Sequence, residues 1–200
     1  MSLLMGITQY CIVPYDTLSY FFLALAAFLI IDGKQSSWNT LMLCFVIILA
    51  TLTRETSSLI LAFYAAINYN TIQAKPKSIK VNQAKREMLI IIICFAGTYV
   101  GLRYLLRGEN VIYQNLRILE NINPLSLLSV MFFGSIAIIV SITQPVSRSI
   151  LVFYIASLPY TVSILLIAEP WEIRLWIPII LLVLLLKIKA VQVNEKQCKY

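Results

Sequence analysis

The stretch that decides the fold runs from residue 88 to residue 102 and reads MLIIIICFAGTYVGL. It holds no charged residue and is bounded by Glu87 and Arg103. A helix that crosses a bilayer needs about 20 mostly apolar residues, and long side chains at its ends can extend back to the membrane surface. The stretch therefore predicts a membrane-spanning helix near 88–106.

Six further runs of the chain are free of charge in the same way. Their length does not suit the strands of a membrane barrel, which alternate apolar and polar side chains over about ten residues. With their flanks, the runs predict seven spans, at 14–31, 37–53, 56–70, 88–106, 124–143, 149–168 and 171–189. We predict an all-α polytopic transmembrane helix bundle that forms one integral membrane domain over 1–200, with no soluble domain.

The composition agrees with this class. Of the 200 residues, 60% are hydrophobic and 12% are charged, whereas average globular domains carry about 25% charged residues. A soluble fold of this size cannot bury so much apolar surface. A soluble enzyme, a disordered chain, a disulfide scaffold and a collagen-like fibre are thereby excluded. The chain has no histidine and no closely spaced cysteine pair, so we expect no metal and no cofactor.

The orientation follows from two basic segments. Segment 70–87 carries a net charge of +4 and the tail 187–200 a net charge of +3, which together equal the +7 of the whole chain. Four predicted spans separate the two segments, so both lie on one side of the membrane. By the positive-inside rule that side is cytoplasmic. The segments lack interleaved aromatic residues, so lipid head groups are the expected partner and nucleic acid is not.

Two arrangements of the amino-terminal part remain open. Seven spans with a cytoplasmic tail place the amino terminus outside, although MSLLMGITQYCIV lacks the pattern of a secretory signal. If 38–70 is one long broken helix, the bundle has six spans and the terminus lies inside. Alternatively, the chain is the carboxyl-terminal part of a longer protein.

The outer face collects the polar residues that are candidates for a site. Arg54 and Glu55 lie between two apolar runs with almost no loop, where charged side chains usually face a bundle interior or an aqueous cavity. One interpretation is a capped interfacial turn with a local ion pair, in which Thr53 caps the following helix. The other is a polar cavity in which Arg54 binds an anionic group such as a lipid-linked phosphate.

Further candidates lie at the starts of the first and last spans. Asp16 follows Pro14 and Tyr15, and its simplest role is the N-cap of the first span. Glu172 and Arg174 begin the last span, where Trp171 and Trp176 are expected in an aromatic belt at the membrane interface. We predict that Arg54 pairs with Glu172 in one cavity open to the outer surface, with Glu55 and Asp16 at its rim. The candidate substrate-binding residues are therefore Arg54, Glu55, Glu172, Arg174 and Asp16.

Segment 109–122, ENVIYQNLRILENI, separates apolar and polar side chains onto two arcs at 100° per residue. It predicts an amphipathic helix that lies in the outer interface and ends before Pro124. Pro159 and Pro178 fall inside predicted spans and are expected to kink them.

Several of these residues carry a family resemblance. Tyr15-Asp16 with its aromatic-rich helix, the stretch 52–57 (Leu-Thr-Arg-Glu-Thr-Ser) and Glu172-x-Arg174 before an apolar last helix resemble bacterial polytopic glycan-assembly proteins. These are the C-type membrane glycosyltransferases and the related polysaccharide polymerases, and the resemblance covers 15–70 and 165–185. Members of that group carry catalytic acids in a large first extracytoplasmic loop. This chain has no such loop, so no catalytic residue is carried over.

Two functions are expected from these observations. In the first, the chain handles a lipid-linked sugar or phosphate at the extracytoplasmic face of the cell membrane, as a glycosyltransferase-like glycan-assembly protein or part of one. The alternative is a non-enzymatic membrane subunit, working with a partner membrane protein, or a small transporter-like bundle. The charged candidate residues cluster at one face of the predicted bundle, whereas transporters usually place ionisable groups near the midplane of the membrane. This distribution mildly favours the glycan-assembly function.

Overall fold

The computed structural model describes residues 14–32, 36–73, 79–105, 123–142, 148–166 and 173–197. These residues form seven α-helices and one short 3-10 helix, Glu55–Ser57, and contain no strand. In chain order the helices are α1 (Pro14–Asp32), α2 (Ser37–Thr53), α3 (Ser58–Gln73), α4 (Ile79–Leu105), α5 (Pro124–Ile142), α6 (Arg148–Leu166) and α7 (Ile173–Gln197). The all-α prediction is confirmed, and each helix overlaps one of the charge-free runs that predicted it, although α4 and α7 extend well beyond theirs.

Side chains of the flanking residues fix where two of the helices begin. The Ser36 hydroxyl accepts a hydrogen bond from the backbone N–H of Asn39 at 3.3 Å, which makes it the N-cap of α2. The Asn123 side chain accepts one from the N–H of Ser126 at 2.8 Å, and Pro124 holds the first position of α5. Proline suits that position because its missing N–H has no partner within a helix there.

Two contacts define the two ends of the bundle. Near the start of α1, Ser19 is hydrogen-bonded to Thr56, just after the end of α2. Near the other end of α1, the Asn39 side chain donates to the carbonyl oxygen of Leu29 at 3.2 Å. Helices α1 and α2 therefore run antiparallel. The connection 54–57 lies at one end of α3, and segment 74–78 follows its other end.

Helix α3 lies at the centre of the bundle. It packs against α1, α4, α6 and α7, most extensively against α6. Leu59, Phe63 and Ala66 of α3 are fully buried, as is Phe153 of α6. Helices α4 and α5, in contrast, present many large apolar side chains outward, among them Ile93 and Met131. Apolar outer surface of this kind suits contact with lipid.

Two of the helices are long and apolar enough to cross a membrane, namely Val81–Leu105 within α4 and Arg148–Leu166, which is α6. Helices α2 and α3 have 17 and 16 residues. At 1.5 Å per residue they extend about 25 Å, which is less than the ~30 Å of a bilayer core. Seven helices are thus found where seven spans were predicted, while length and composition support crossing for two of them.

The structure bears on three further expectations. In place of the alternative of one long broken helix over 38–70, the structure has two helices: α2 ends at Thr53 and α3 starts at Ser58, and the hydroxyls of Thr51 and Ser57 lie together across the turn between them. Pro159 and Pro178 lie inside α6 and α7. The predicted interfacial helix at 109–122 lies outside the described residues.

Candidate functional site

The strongest candidate site is an ion pair between two helices that are distant in sequence. The guanidinium of Arg54 contacts the carboxylate of Asp16. The Asp16 side chain has no exposed surface, and that of Arg54 is 19% exposed. The pair therefore has one buried member and one member that retains access to the surroundings.

The helix dipoles of α1 and α2 stabilise the charges of Asp16 and Arg54 at their positions. Arg54 is the C-cap of α2, in extended conformation, and its N–H bonds to the carbonyl oxygen of Ala50 at 2.9 Å. Asp16 lies in the first turn of α1. Helices carry partial negative charge at their carboxyl ends and partial positive charge at their amino ends. A cation at the end of α2 and an anion at the start of α1 are both stabilised by these dipoles.

Four hydroxyl-bearing side chains lie on the same two helix ends and the same turn as the pair, and together with it they form what we call the Asp16–Arg54 cluster. Ser19 and Thr56 are joined by a buried hydrogen bond of 2.8 Å. The Thr51 hydroxyl lies 3.1 Å from that of Ser57, and all four side chains are buried. The cluster therefore joins α1, the end of α2 and the turn that leads into α3 through polar groups within an otherwise apolar bundle.

Two threonines in the last turn of α2 bond to the backbone of the same helix. The Thr51 hydroxyl donates to the carbonyl oxygen of Ile47 at 2.7 Å, and that of Thr53 to the carbonyl oxygen of Ala50 at 2.8 Å. The expectation that Thr53 caps the following helix is wrong, because Thr53 is the last residue of α2 and its hydroxyl bonds backwards.

The structure also corrects the expected role of Asp16. It is neither the N-cap of α1 nor a residue at the rim of an open cavity, because it lies within the first turn and is fully buried against Arg54. Its ion pair with Arg54 spans 38 positions of sequence and is not a local contact within the turn. Sequence reasoning placed both residues at the same end of the bundle but did not identify them as partners.

Three of the predicted site residues fall partly or wholly outside the described residues. Glu172 lies in the undescribed segment 167–172. Glu55 lies in the 3-10 helix and Arg174 in the first turn of α7, and the description does not extend to their side chains. The predicted pairing of Arg54 with Glu172 therefore stays a prediction.

A second polar contact, which the sequence analysis missed, joins α3 and α4. The Tyr64 hydroxyl donates to one carboxylate oxygen of Glu87 at 2.9 Å, and the Gln83 amide donates to the other at 3.0 Å. Glu87 is only 9% exposed although it follows the exposed Lys85 and Arg86. The available signal was its position as the last charge before the run 88–102.

Trp176 does not lie in an aromatic belt. It is buried, and its ring stacks on that of Phe133 with 5.8 Å between ring centroids. Nearby, the Tyr160 hydroxyl of α6 donates to the carbonyl oxygen of Leu175 at 3.1 Å. The start of α7 is therefore fixed by contacts to α5 and α6 within the bundle core.

Metal ligation finds no support in the described residues. No group of three or more cysteine, aspartate or glutamate side chains converges among them. The groups that the Asp16–Arg54 cluster offers are a guanidinium, a carboxylate and hydroxyls. These groups bind phosphate oxygens, carboxylates and sugar hydroxyls through hydrogen bonds and charge.

The comparisons with known proteins add no relative. No protein-family model matches the chain, no curated protein is significantly similar to it, and no solved structure matches its fold.

Proposed function

We propose that the chain is a multi-pass protein of the cell membrane in which all seven helices cross the bilayer. Segment 70–87 and the tail 187–200 face the cytoplasm, because they carry the entire net positive charge. The Asp16–Arg54 cluster lies at the opposite end of α3 from segment 74–78. The cluster therefore faces the extracytoplasmic side.

Cysteine labelling tests this topology. In a variant with Cys11, Cys44 and Cys94 replaced by serine, a membrane-impermeant maleimide applied to intact cells should leave Cys198 unlabelled. With Cys198 also replaced, a cysteine introduced by Ser78→Cys should be equally protected. Labelling of both after permeabilisation is the positive control. Labelling of either one in intact cells would overturn the orientation.

We further propose that the Asp16–Arg54 cluster binds the polar head group of a lipid-linked phosphate or sugar, as in a glycosyltransferase-like glycan-assembly protein. The observation that carries this proposal is the burial of Asp16 against Arg54. A buried ion pair contributes little net stability, since apolar residues of similar volume often stabilise a fold equally well. Ionisable groups inside a membrane bundle are therefore functional candidates by default.

The geometry indicates how an anionic group would bind. A guanidinium has five N–H donors, and a carboxylate can accept two of them side by side. Arg54 remains 19% exposed, so its guanidinium is accessible to a phosphate oxygen. Asp16 then acts as a positioning residue that holds the guanidinium in place.

Ligand-dependent stabilisation in lipid nanodiscs tests this function. A long-chain polyprenyl phosphate should raise the melting temperature of the protein, because a ligand that binds only the folded state stabilises it by mass action. The neutral polyprenol of equal length should not. Arg54→Lys keeps the charge but loses the planar fork, and should reduce the response at least several-fold. The matched control Arg103→Lys alters an exposed arginine on α4 and should respond like the unmodified protein. Equal responses to phosphate and polyprenol would refute head-group binding.

The transporter-like alternative is favoured by a different observation, the burial of Glu87 between α3 and α4. Its described hydrogen-bond partners, Tyr64 and Gln83, are neutral donors. Buried acids inside membrane bundles often belong to proton pathways. In vesicles that enclose a pH-sensitive dye, a transporter of this kind would give a proton flux that Glu87→Gln abolishes and Asp32→Asn, at an exposed acid of α1, preserves. Absence of any flux above empty vesicles would exclude this alternative.

A further inference from the structure

Two cysteines that the proposed function does not use face each other between α2 and α4. Cys44 belongs to α2 and Cys94 to α4, and these helices pack closely against each other. The two thiols lie within hydrogen-bonding reach of each other. Both are half-buried and neither takes part in a disulfide. The sequence gives no sign of this pair, because fifty residues separate its members.

The position of the pair along the two helices is central. Cys44 lies near the middle of α2, and Cys94 lies near the middle of the charge-free run 88–102. In the proposed membrane orientation both thiols are therefore in the apolar layer. Water-soluble thiols such as glutathione are excluded from that layer, whereas lipid-soluble quinones partition into it. The apolar layer therefore restricts the oxidants that can reach the two thiols to lipid-soluble ones.

We propose that Cys44 and Cys94 form an oxidisable dithiol that is converted to an intramembrane disulfide by a membrane-soluble quinone. The reaction is balanced between the two partners. The two S–H bonds break and one S–S bond forms, and the two electrons and two protons pass to the quinone, which becomes a quinol. A disulfide requires Cα atoms about 4.4–6.8 Å apart, which side chains facing each other from packed helices can meet with small adjustment.

The disulfide would fasten α2 to α4. Helix α2 carries Arg54 at its carboxyl end, so the bond restricts any movement of α2 that alters the Asp16–Arg54 cluster. The redox state of the quinone pool would thereby control how far α2, which ends at this cluster, can move. The inference rests on the proposed membrane location but not on head-group binding. Disulfide formation and head-group binding can therefore fail independently.

Thiol counting in the full chain tests the proposal. The variant Cys11→Ser/Cys198→Ser retains only Cys44 and Cys94, and is reconstituted in nanodiscs with a short-chain benzoquinone whose ring is fully substituted, so that it oxidises thiols without adding to them. After denaturation, each free thiol adds one polyethylene glycol maleimide and one step of gel mobility. We expect two additions before oxidation, none after it, and two again after dithiothreitol. One quinol should form per protein.

A matched control moves one thiol around α2 by about 100° at nearly the same depth. Phe45 is exposed, so Cys44→Ser/Phe45→Cys in the same background should keep both additions after quinone treatment. Oxidation of this control to the same extent would attribute the bond to random collision and overturn the proposal. Retention of both thiols by the Cys44/Cys94 protein would overturn it as well. Copper–phenanthroline separates the causes: if it oxidises the pair and quinone does not, the contact is correct and the quinone reaction is wrong.

Discussion

Removing the guanidinium of Arg54 should destabilise the protein far more than removing an exposed arginine. In Arg54→Ala the carboxylate of Asp16 stays fully buried without the cation that it contacts. Breaking a buried ion pair by deleting one partner costs about 3–5 kcal/mol, because the remaining charge is desolvated without compensation. Arg103→Ala alters an exposed side chain that lies over the Tyr99 ring, and should cost about 0.5–1 kcal/mol.

The double variant distinguishes pairing from two independent anchors. Asp16→Ala alone leaves Arg54 without its buried counter-charge, and should cost about 2–4 kcal/mol, since the partly exposed guanidinium can still be solvated. Asp16→Ala/Arg54→Ala leaves no buried charge, so its loss should stay within about 1–3 kcal/mol, as for an ordinary core substitution. The interaction energy of the double-mutant cycle should therefore be at least about 2 kcal/mol.

Equilibrium unfolding in mixed detergent micelles, followed by tryptophan fluorescence, gives these free energies. Asp16→Asn provides a further control, because it keeps the shape of the side chain and removes its charge. It should restore part of the stability that Arg54→Ala loses when the two are combined. Losses that add within about 0.5 kcal/mol would refute the reasoning, and Arg54 and Asp16 would then be separate anchors at the membrane surface.

Three further variants test other contacts. Tyr64→Phe removes one hydrogen bond to the buried Glu87 and should cost about 1–3 kcal/mol in the same unfolding assay; an unchanged stability would mean that water replaces the hydroxyl. Trp176→Ala should cost about 3–5 kcal/mol, because the ring is 7% exposed and stacked, whereas Trp38→Ala, at a ring that is 68% exposed, should change the unfolding midpoint little; similar losses would contradict the assigned core. Gly97→Ala should be neutral or stabilise by up to about 1 kcal/mol, because a Cβ there meets no atom within 4 Å, and a drop in melting temperature would instead reveal a partner packed on α4.

The helix positions were predictable because charge is the dominant constraint in an apolar chain. A charge-free run ends where a Lys, Arg, Asp or Glu appears, and the observed helices begin and end close to those positions. The exceptions are α4, which starts at Ile79, well before the run 88–102, and α7, which continues to Gln197, well past Lys187, the first charge after its apolar run. The extra turns of both helices carry lysine or arginine, which favour helix as strongly as leucine does, so charge ends the apolar run there but not the helix.

The partner of Arg54 was not predictable, because the sequence shows at which end of the bundle a residue lies but not which helices are neighbours there. Asp16 and Glu172 both precede spans at the predicted outer end, and either can neutralise a guanidinium there. Which acid meets Arg54 depends on which helix packs beside α2, and α1 contacts both α2 and the turn that follows it. Glu87 was missed for a related reason. It was counted with the basic segment 70–87, although its side chain faces α3.

The central position of α3 has a consequence for how the chain is made. Its most extensive contact is with α6, which begins about ninety residues later in the chain. When α3 leaves the ribosome, α6 does not yet exist, so the side of α3 that packs against α6 has no final partner until α4 and α5 have been made. Contacts between distant segments form slowly and leave intermediates exposed. A nascent chain that stops before residue 148 should therefore be a substrate for membrane quality-control proteases, and release of α6 should mark the point at which that susceptibility ends.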